Sequence, residues 1–154
     1  MLLLQSIDFR LEIIRILTLI ILLLISQVGV TEKLRQFDNF ELHYNVVNAT
    51  FLSPFVAEKY GITRGERHAI LNLSLRELSV EGSESVGMEL SGRTWDLIQN
   101  QDLSFAMIKE TKAIYYLAEF KFISEEWRFF EVEFSPESSK KKYQFKFKHQ
   151  LYIN

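Results

Sequence analysis

Apolar and polar residues alternate along most of the chain after residue 37, with the period of two that is typical of a half-buried β-strand. The clearest runs are 69–76, in which Ala69, Leu71, Leu73 and Leu75 share one face, and 143–153. The pattern predicts strands at residues 40–47, 69–76, 86–91, 127–134 and 143–153, with a weaker strand at 103–108. Residues 81–85 read as a polar turn, and residues 95–102 as an irregular connection.

Residues 113–118 are almost continuously apolar, which predicts a central strand covered on both faces. Residues 53–61 predict one short helical turn, since Ser53 suits the N-cap, Pro54 the first helical position and Gly61 the C-terminal stop. We expect a single core that includes Leu71, Leu73, Tyr115, Leu117, Phe145 and Phe147.

About seven short strands with polar turns and one helical turn indicate an all-β, immunoglobulin-like β-sandwich. A small barrel is the alternative. Residues 31–154 are enough for one such domain with one core.

An uncharged apolar run at residues 16–25 follows Arg10 and Arg15, in the layout of a secretory signal. The run is shorter than the roughly 20 residues that cross a bilayer. Small residues do not occupy both positions of a cleavage site, because the two candidate sites end at Val28 and Val30. Residues 1–30 are therefore predicted to be a signal peptide or, if uncleaved, a signal anchor formed by an N-terminal hydrophobic helix; a buried core helix is the third interpretation.

Composition removes several functional classes. With 18 basic and 20 acidic residues the chain has a net charge of −2, so nothing in it favours nucleic-acid binding. The absence of cysteine excludes disulfides, thiolate metal sites and cysteine nucleophiles. Lysines at 140–142, 146 and 148 form the one concentration of charge. They would protect an edge strand from unwanted pairing or contact anionic lipid headgroups.

Polar residues on the first predicted strand and after it are the candidate binding residues. The compact turn at 54–61 could bring them together on one surface: His43, Asn45, Asn48, Thr50, Tyr60 and Arg64. The competing interpretation is structural, because such residues also bond to nearby backbone and shape turns. No hydrolase motif is present, and the histidines at 43, 68 and 149 lack the spacing of a metal site. We therefore expect no catalytic residues, no metal and no cofactor.

Several strings resemble domain-of-unknown-function family 4426, which comprises short exported gammaproteobacterial proteins. They are ELHYN at 41–45, NATFL at 48–52, YGITR at 60–64, AILNLS at 69–74, AIYYL at 113–117 and QLYI at 150–153. The resemblance covers residues 37–154 and implies a periplasmic, signal-bearing β-sandwich with no assigned activity. An uncleaved leader would anchor it to the inner membrane.

The sequence thus predicts a non-enzymatic binding or accessory module of the periplasm, whose partner is another envelope protein. Contact would be made through an exposed strand edge, the mode that sandwiches offer most readily, or through the surface from His43 to Arg64. The alternative is a carrier or sensor of a small apolar ligand. A cavity larger than about 300 Å³ between the sheets would favour that alternative.

Overall fold

The computed structural model describes residues 33–153, and the predicted leader lies outside this range. The described residues form ten strands: β1 (Lys33–Phe37), β2 (Phe40–Asn48), β3 (His68–Ser79), β4 (Gly82–Val86), β5 (Met88–Trp95), β6 (Asn100–Asp102), β7 (Ala106–Lys109), β8 (Ile114–Lys121), β9 (Trp127–Pro136) and β10 (Tyr143–Gln150). A 3₁₀ turn (Ala49–Phe51) and the helix α1 (Pro54–Lys59) follow β2. No helix within residues 33–153 is long and apolar enough to span a membrane.

The strands form two antiparallel sheets. Within the described range, sheet A has six strands in the order β1-β2-β3-β8-β7, with β4 also paired to β3, and sheet B has four in the order β10-β9-β5-β6. One side of β3 is shared, because β8 pairs with residues 68–73 and β4 with residues 75–79. An all-β, two-sheet sandwich with one short helical turn is therefore confirmed.

The core lies between the sheets and is built by alternation. In β2 every second residue is buried, from Phe40 to Asn48. In β9 the buried set includes Phe130, Val132 and Phe134. Leu71, Leu73 and Phe145 belong to this core, as predicted, and Phe147 packs against it. Ring contacts between the sheets, such as Tyr44 with Phe145 at 4.6 Å between centroids, fill the space.

The predicted core face of β8 is wrong. Tyr116, Ala118 and Phe120 point into the core, whereas Tyr115 and Leu117 lie on the outer face of sheet A and are only half-buried. The sequence had also suggested that both faces of this strand are covered. In the structure only the inner face is fully buried. Tyr116 fits the interior because its hydroxyl accepts a hydrogen bond from the Met88 N–H of sheet B at 2.9 Å.

Three short strands were not predicted, which is why the described residues form ten strands rather than about seven. They are β1, β4 and β6, which are short, mostly polar strands with no buried residue. Residues 82–86 form β4 where a turn was expected. This strand is held by Arg76, whose guanidinium donates to the Ser83 carbonyl at 2.6 Å and to the Ser83 hydroxyl.

The helical turn forms as predicted. The Ser53 hydroxyl accepts a hydrogen bond from the Val56 N–H at 3.2 Å, and Pro54 begins α1. Gly61 follows with φ +65°, a left-handed conformation that glycine adopts at little cost. The loop after α1 is bonded to the outer face of sheet A through the Thr63 N–H and the Glu119 carboxylate, and Ile70 on that face is 1% exposed.

The sandwich has two ends, which we call upper and lower. At the upper end β2, β5, β8 and β10 finish and β3 and β9 begin, and side-chain bonds join the two sheets there. The Gln101 side chain donates to the Glu119 carbonyl at 3.1 Å, and the Asn48 side chain donates to the Tyr152 carbonyl at 2.6 Å. The β1–β2, β3–β4 and β9–β10 turns form the lower end, where Lys141 contacts Asp38 at 2.6 Å.

Candidate functional site

The structure spreads the six predicted binding residues over four places. His43 and Asn45 lie on the outer face of sheet A, in the middle of β2. Asn48 ends β2 and is 6% exposed. Thr50 and Arg64 meet at the upper end, where the Arg64 guanidinium donates to the Thr50 carbonyl at 3.2 Å. Tyr60 caps α1 at its C-terminal end, and the Lys59 ammonium lies 5.0 Å from the centre of the Tyr60 ring.

The bonds of Asn48 and Arg64 are those that the fold alone would require. Each side chain donates to a backbone carbonyl, and Asn48 fixes the stretch that follows β10 against the end of β2. Such side-chain-to-backbone bonds stabilise turns. A binding role for the surface from His43 to Arg64 stays a prediction.

A polar cleft of about 260 Å³ lies beside His43 on the outer face of sheet A. It opens where β4 and β8 meet end to end along β3, and its walls include Ser74, Arg76, Ser85 and Tyr115. The His43 imidazole also approaches the Glu41 carboxylate at 3.6 Å. Sequence reasoning found only His43, because the other walls come from strands brought together by the sheet topology.

A second polar cluster lies under the loop that follows α1. The His68 Nδ1 is 2.6 Å from a Glu119 carboxylate oxygen, and the other oxygen accepts from the Thr63 N–H at 2.9 Å. Burial alone would raise the pKa of Glu119, but these bonds outweigh it and hold the pKa below its ordinary value. The carboxylate therefore ties the loop to β8.

The outer face of sheet B carries two cross-strand rows. In the charged row, Glu131 of β9 binds Arg93 of β5 at 2.7 Å and Lys146 of β10 at 2.9 Å. In the aromatic row, Trp95 stacks on Phe129 with 5.8 Å between ring centroids. Each such pair between neighbouring strands stabilises a sheet by at most about 1 kcal/mol.

A buried ion pair supports the turn between β5 and β6. Asp96 and Arg128 each have 2% side-chain exposure and bind each other, and the Arg128 Nε also donates to the Thr94 hydroxyl at 3.0 Å. Burial alone would raise the pKa of Asp96. Hydrogen bonds from the Gln99 and Ile98 N–H groups and the nearby guanidinium outweigh that effect and lower the pKa.

Strand β10 forms one edge of sheet B, and the hydrogen-bond register fixes which of its groups point outward. Leu103 N–H donates to the Gly92 carbonyl and Glu137 N–H to the Gly87 carbonyl, so even-numbered β5 residues face β6 and odd-numbered ones face β9. The odd-numbered residues of β9 therefore bond to β5, and its even-numbered residues bond to β10. These even-numbered residues pair with the odd-numbered residues of β10, whose backbone N–H and C=O groups therefore point toward β9. The backbone N–H and C=O groups of Gln144, Lys146 and Lys148 therefore point to the open edge.

Among residues 33–153, no three His, Asp or Glu side chains come together as a metal site would require. Within this range the geometry presents two packed antiparallel sheets, polar clefts on their outer faces, and a long edge at β10 with which no further described strand pairs.

These features define a β-sandwich domain that offers surfaces for contact. The chain belongs to the DUF4426 family, a domain of unknown function, whose model matches residues 34–154. A DUF4426 family protein from Pseudomonas aeruginosa PAO1, known from its crystal structure, is 27% identical over 80% of this chain and 96% of its own, with a TM-score of 0.69. No curated protein matches the sequence.

The fold is also similar to that of FetP from uropathogenic Escherichia coli strain F11. The structure of FetP recombinantly expressed in the periplasm of E. coli is 12% identical over 79% of this chain and 98% of its own, with a TM-score of 0.55. A copper-bound variant of FetP with a single substitution is 11% identical over 77% and 94%, also with a TM-score of 0.55. At this identity the likeness concerns the fold alone.

Proposed function

We propose that this protein is a non-enzymatic binding module of the bacterial envelope that holds a partner protein by adding a strand of the partner to β10. The observation that carries the proposal is the open edge of β10, with the N–H and C=O groups of Gln144, Lys146 and Lys148 directed outward. An edge of this kind is a template for one more strand.

The side chains of β10 suit such an addition. Tyr143, Phe147 and His149 face the core side of the strand but remain half-exposed, whereas Phe145 is buried. An added strand would cover these partly exposed rings and so bury further apolar surface. The lysines of β10 do not block the edge, because Lys146 is drawn toward Glu131 and the Lys148 ammonium lies 4.4 Å from the centre of the Trp127 ring.

The interior supports contact rather than transport of a ligand. The core residues of the two sheets pack against each other, as in the stacked pair Phe130 and Phe147 at 4.5 Å. The larger clefts among residues 33–153 lie on outer faces and at strand ends, as does that of about 400 Å³ beside Arg93 and Glu131. The copper belongs to the FetP variant, and the proposal for this chain does not include it.

Location and fold class are parts of the same proposal. A periplasmic location is supported by the secretory layout of residues 1–30 and by the similarity to FetP, which was expressed in the periplasm of E. coli. We place the domain in the immunoglobulin-like class, because two antiparallel sheets packed around one core are the common feature of that class.

The test replaces one outward-facing residue of β10 in the full chain, within its native envelope. Lys146→Pro removes an N–H that points away from β9, so the β9–β10 ladder stays intact, and proline is tolerated on edge strands. Lys146→Ala is the matched control, because it also loses the Glu131 ion pair but keeps the N–H. A photo-crosslinking amino acid at Gln144 reports the partner, and one at the fully exposed Val80, at the lower end, reports background.

We expect a cross-linked product of defined mass from position 144 and none from position 80. The product should persist with Lys146→Ala and disappear with Lys146→Pro, while the thermal midpoints of the two variants stay close. If the proline variant keeps the product, or if position 144 yields none, strand addition at β10 is wrong.

A further inference from the structure

Strands β1 and β10 lie on the same side of the sandwich, one at the edge of each sheet. Phe37 of β1 packs on Tyr143 and Phe145 of β10, with 5.5 and 6.3 Å between ring centroids. A strand added to β10 would therefore extend sheet B beneath the inner face of β1. We call the space that this strand would occupy the edge slot.

The inner wall of the edge slot, formed by β1, is positively charged. In the antiparallel ladder with β2, Lys33 lies directly opposite Tyr44 and Arg35 directly opposite Leu42. Residues paired in this way point to the same face of a sheet. Because Tyr44 and Leu42 belong to the core, the side chains of Lys33 and Arg35 point to the core side of β1. Both residues are nevertheless exposed, since sheet B ends at β10 in the described range.

The outer face of β10 ends a row of charges that alternate in sign. Arg93 of β5 lies opposite Glu131 of β9, which in turn lies opposite Lys146 of β10. The ion pairs follow the same order, at 2.7 and 2.9 Å. Lys148, two residues further along β10, is also exposed. The next strand of the sheet would therefore meet two lysines on this face.

The positive charges of the two walls come close to each other toward the upper end. The pKa of His149 is lowered by burial and then by the positive charge of Lys33, so these two side chains lie near each other. Lys148 is the neighbour of His149 on β10. Among residues 33–153, Lys33, Arg35 and Lys148 take part in no ion pair. Their charges are therefore available to an incoming strand.

We infer that the segment added to β10 is an acidic strand of the partner protein, with carboxylates opposite Lys146 and Lys148 on its outer face and near Lys33 and Arg35 on its inner face. The inference rests on the strand addition proposed for this protein and specifies the chemistry of the partner. Opposite charges on neighbouring strands stabilise a sheet, and like charges destabilise it. Charge complementarity also speeds the encounter and disfavours other partners.

A second copy of the chain fits the edge slot poorly. Two copies of β10 paired antiparallel about residue 145, 146 or 147 place a lysine opposite a lysine. The opposed residues are Lys142 with Lys148, Lys146 with itself, or Lys146 with Lys148. A nucleic acid would supply negative charge, but it lacks the N–H and C=O groups that match a strand edge. An acidic peptide segment supplies both.

Three probes test the charge and the backbone pairing separately. Full-length protein in a non-ionic detergent is titrated into fluorescently labelled probes, and the anisotropy of each probe is measured. The first probe is a short peptide in which valine alternates with glutamate. The second alternates valine with glutamine, and the third is a short single-stranded DNA. Circular dichroism checks that every protein variant keeps the fold.

Two pairs of variants accompany the probes. Lys33→Gln combined with Arg35→Gln removes the charge of the inner wall. Its matched control, Lys109→Gln combined with Lys112→Gln, removes the same charge from exposed positions beside the opposite edge of sheet A. Lys146→Pro, compared with Lys146→Ala, shows whether binding of a probe needs the outward N–H of β10.

We expect the valine–glutamate peptide to bind about tenfold more tightly than the valine–glutamine peptide at low salt, and high salt should reduce the difference. The inner-wall variant should weaken its binding by roughly 3- to 10-fold, and the control pair should leave it nearly unchanged. Lys146→Pro should abolish its binding, whereas Lys146→Ala should only weaken it. The DNA should bind more weakly than the valine–glutamate peptide.

The possible failures separate this inference from strand addition itself. If the two peptides bind equally, or if the control pair weakens binding as much as the inner-wall variant, the partner strand is not selected by its charge and the inference is overturned, while strand addition stands. DNA that binds as tightly as the valine–glutamate peptide also overturns it. If neither peptide binds, strand addition is contradicted, and this inference with it.

Discussion

Replacing Asp96 with alanine removes three interactions at once, and their contributions to the free energy of unfolding differ. The carboxylate is paired with the Arg128 guanidinium, and it accepts from the N–H groups of Ile98 and Gln99. Asp96→Ala leaves Arg128, with 2% side-chain exposure, without its counter-charge in the interior. The Thr94 hydroxyl and the Phe120 ring, 5.9 Å away, remain as partners but carry no full charge.

Breaking a buried ion pair by removing one partner costs about 3–5 kcal/mol, since the remaining charge is desolvated and uncompensated. For a domain of this size, that loss lowers the thermal midpoint by roughly 10–20 °C. Losing the hydrogen bonds from the Ile98 and Gln99 N–H groups costs less free energy, because the turn is exposed and water can take the place of the carboxylate. Most of the loss should therefore come from the charge.

Three variants separate these contributions in urea unfolding monitored by tryptophan fluorescence. Asp96→Asn retains an oxygen for the turn but not the charge, so it should be nearly as destabilising as Asp96→Ala. Asp96→Asn combined with Arg128→Met removes both charges and should regain much of the lost stability. A loss below about 1 kcal/mol for Asp96→Ala, or a double variant less stable than Asp96→Asn, would refute the argument.

The pair also has a defined pH window. The folded pKa of Asp96 lies below that of the unfolded chain, so the stabilisation is present above the unfolded value and is lost as the pH falls through the lowered folded value. Stability profiles of the wild type and Asp96→Asn should converge in acid.

Three further predictions follow from the described residues. Leu73→Ala should lower the free energy of unfolding by about 2–5 kcal/mol, because the side chain is fully buried; an unchanged midpoint would contradict the register of β3. His149 has its pKa lowered by burial and by Lys33. Stability should therefore fall as the pH drops below about 6.5 toward that lowered value, and comparison with His149→Gln between neutral and mildly acidic pH isolates this component. Residues 1–31 should export a reporter that is active only outside the cytoplasm; a silent reporter refutes export.

The sequence was informative where one face of a strand is buried and the other is not. In residues 40–46 of β2 and 71–76 of β3 the polar residues alternate with the apolar ones, so period and face were both readable. In β8 the stretch Ala113–Ala118 contains no charged residue, and periodicity could not choose a face. The choice was made by Tyr116, whose hydroxyl meets the Met88 N–H from the other sheet.

The short polar strands and the surface sites depend on partners that are distant in sequence. The β4 strand exists because Arg76 binds Ser83 across the hairpin, and nothing in its own residues marks a strand. Arg128 and Asp96 are 32 residues apart, and neither shows in the sequence that it will be buried. The open edge of β10 was foreseeable as a lysine-bearing final strand, but which of its N–H groups face outward depends on the register with β9 and β5.

Gln101 makes the two edges of sheet B unequal. Its side chain donates to the Glu119 carbonyl and accepts from the Lys121 N–H at 3.4 Å, so it bonds to β8 much as a neighbouring strand would. The edge at β6 is thus only three residues long and already engaged. Copies that stack end to end through sheet B would need two accessible edges on each copy. Among the described residues, β10 supplies one long edge, and the opposite edge is short and bonded to β8, which disfavours such stacking.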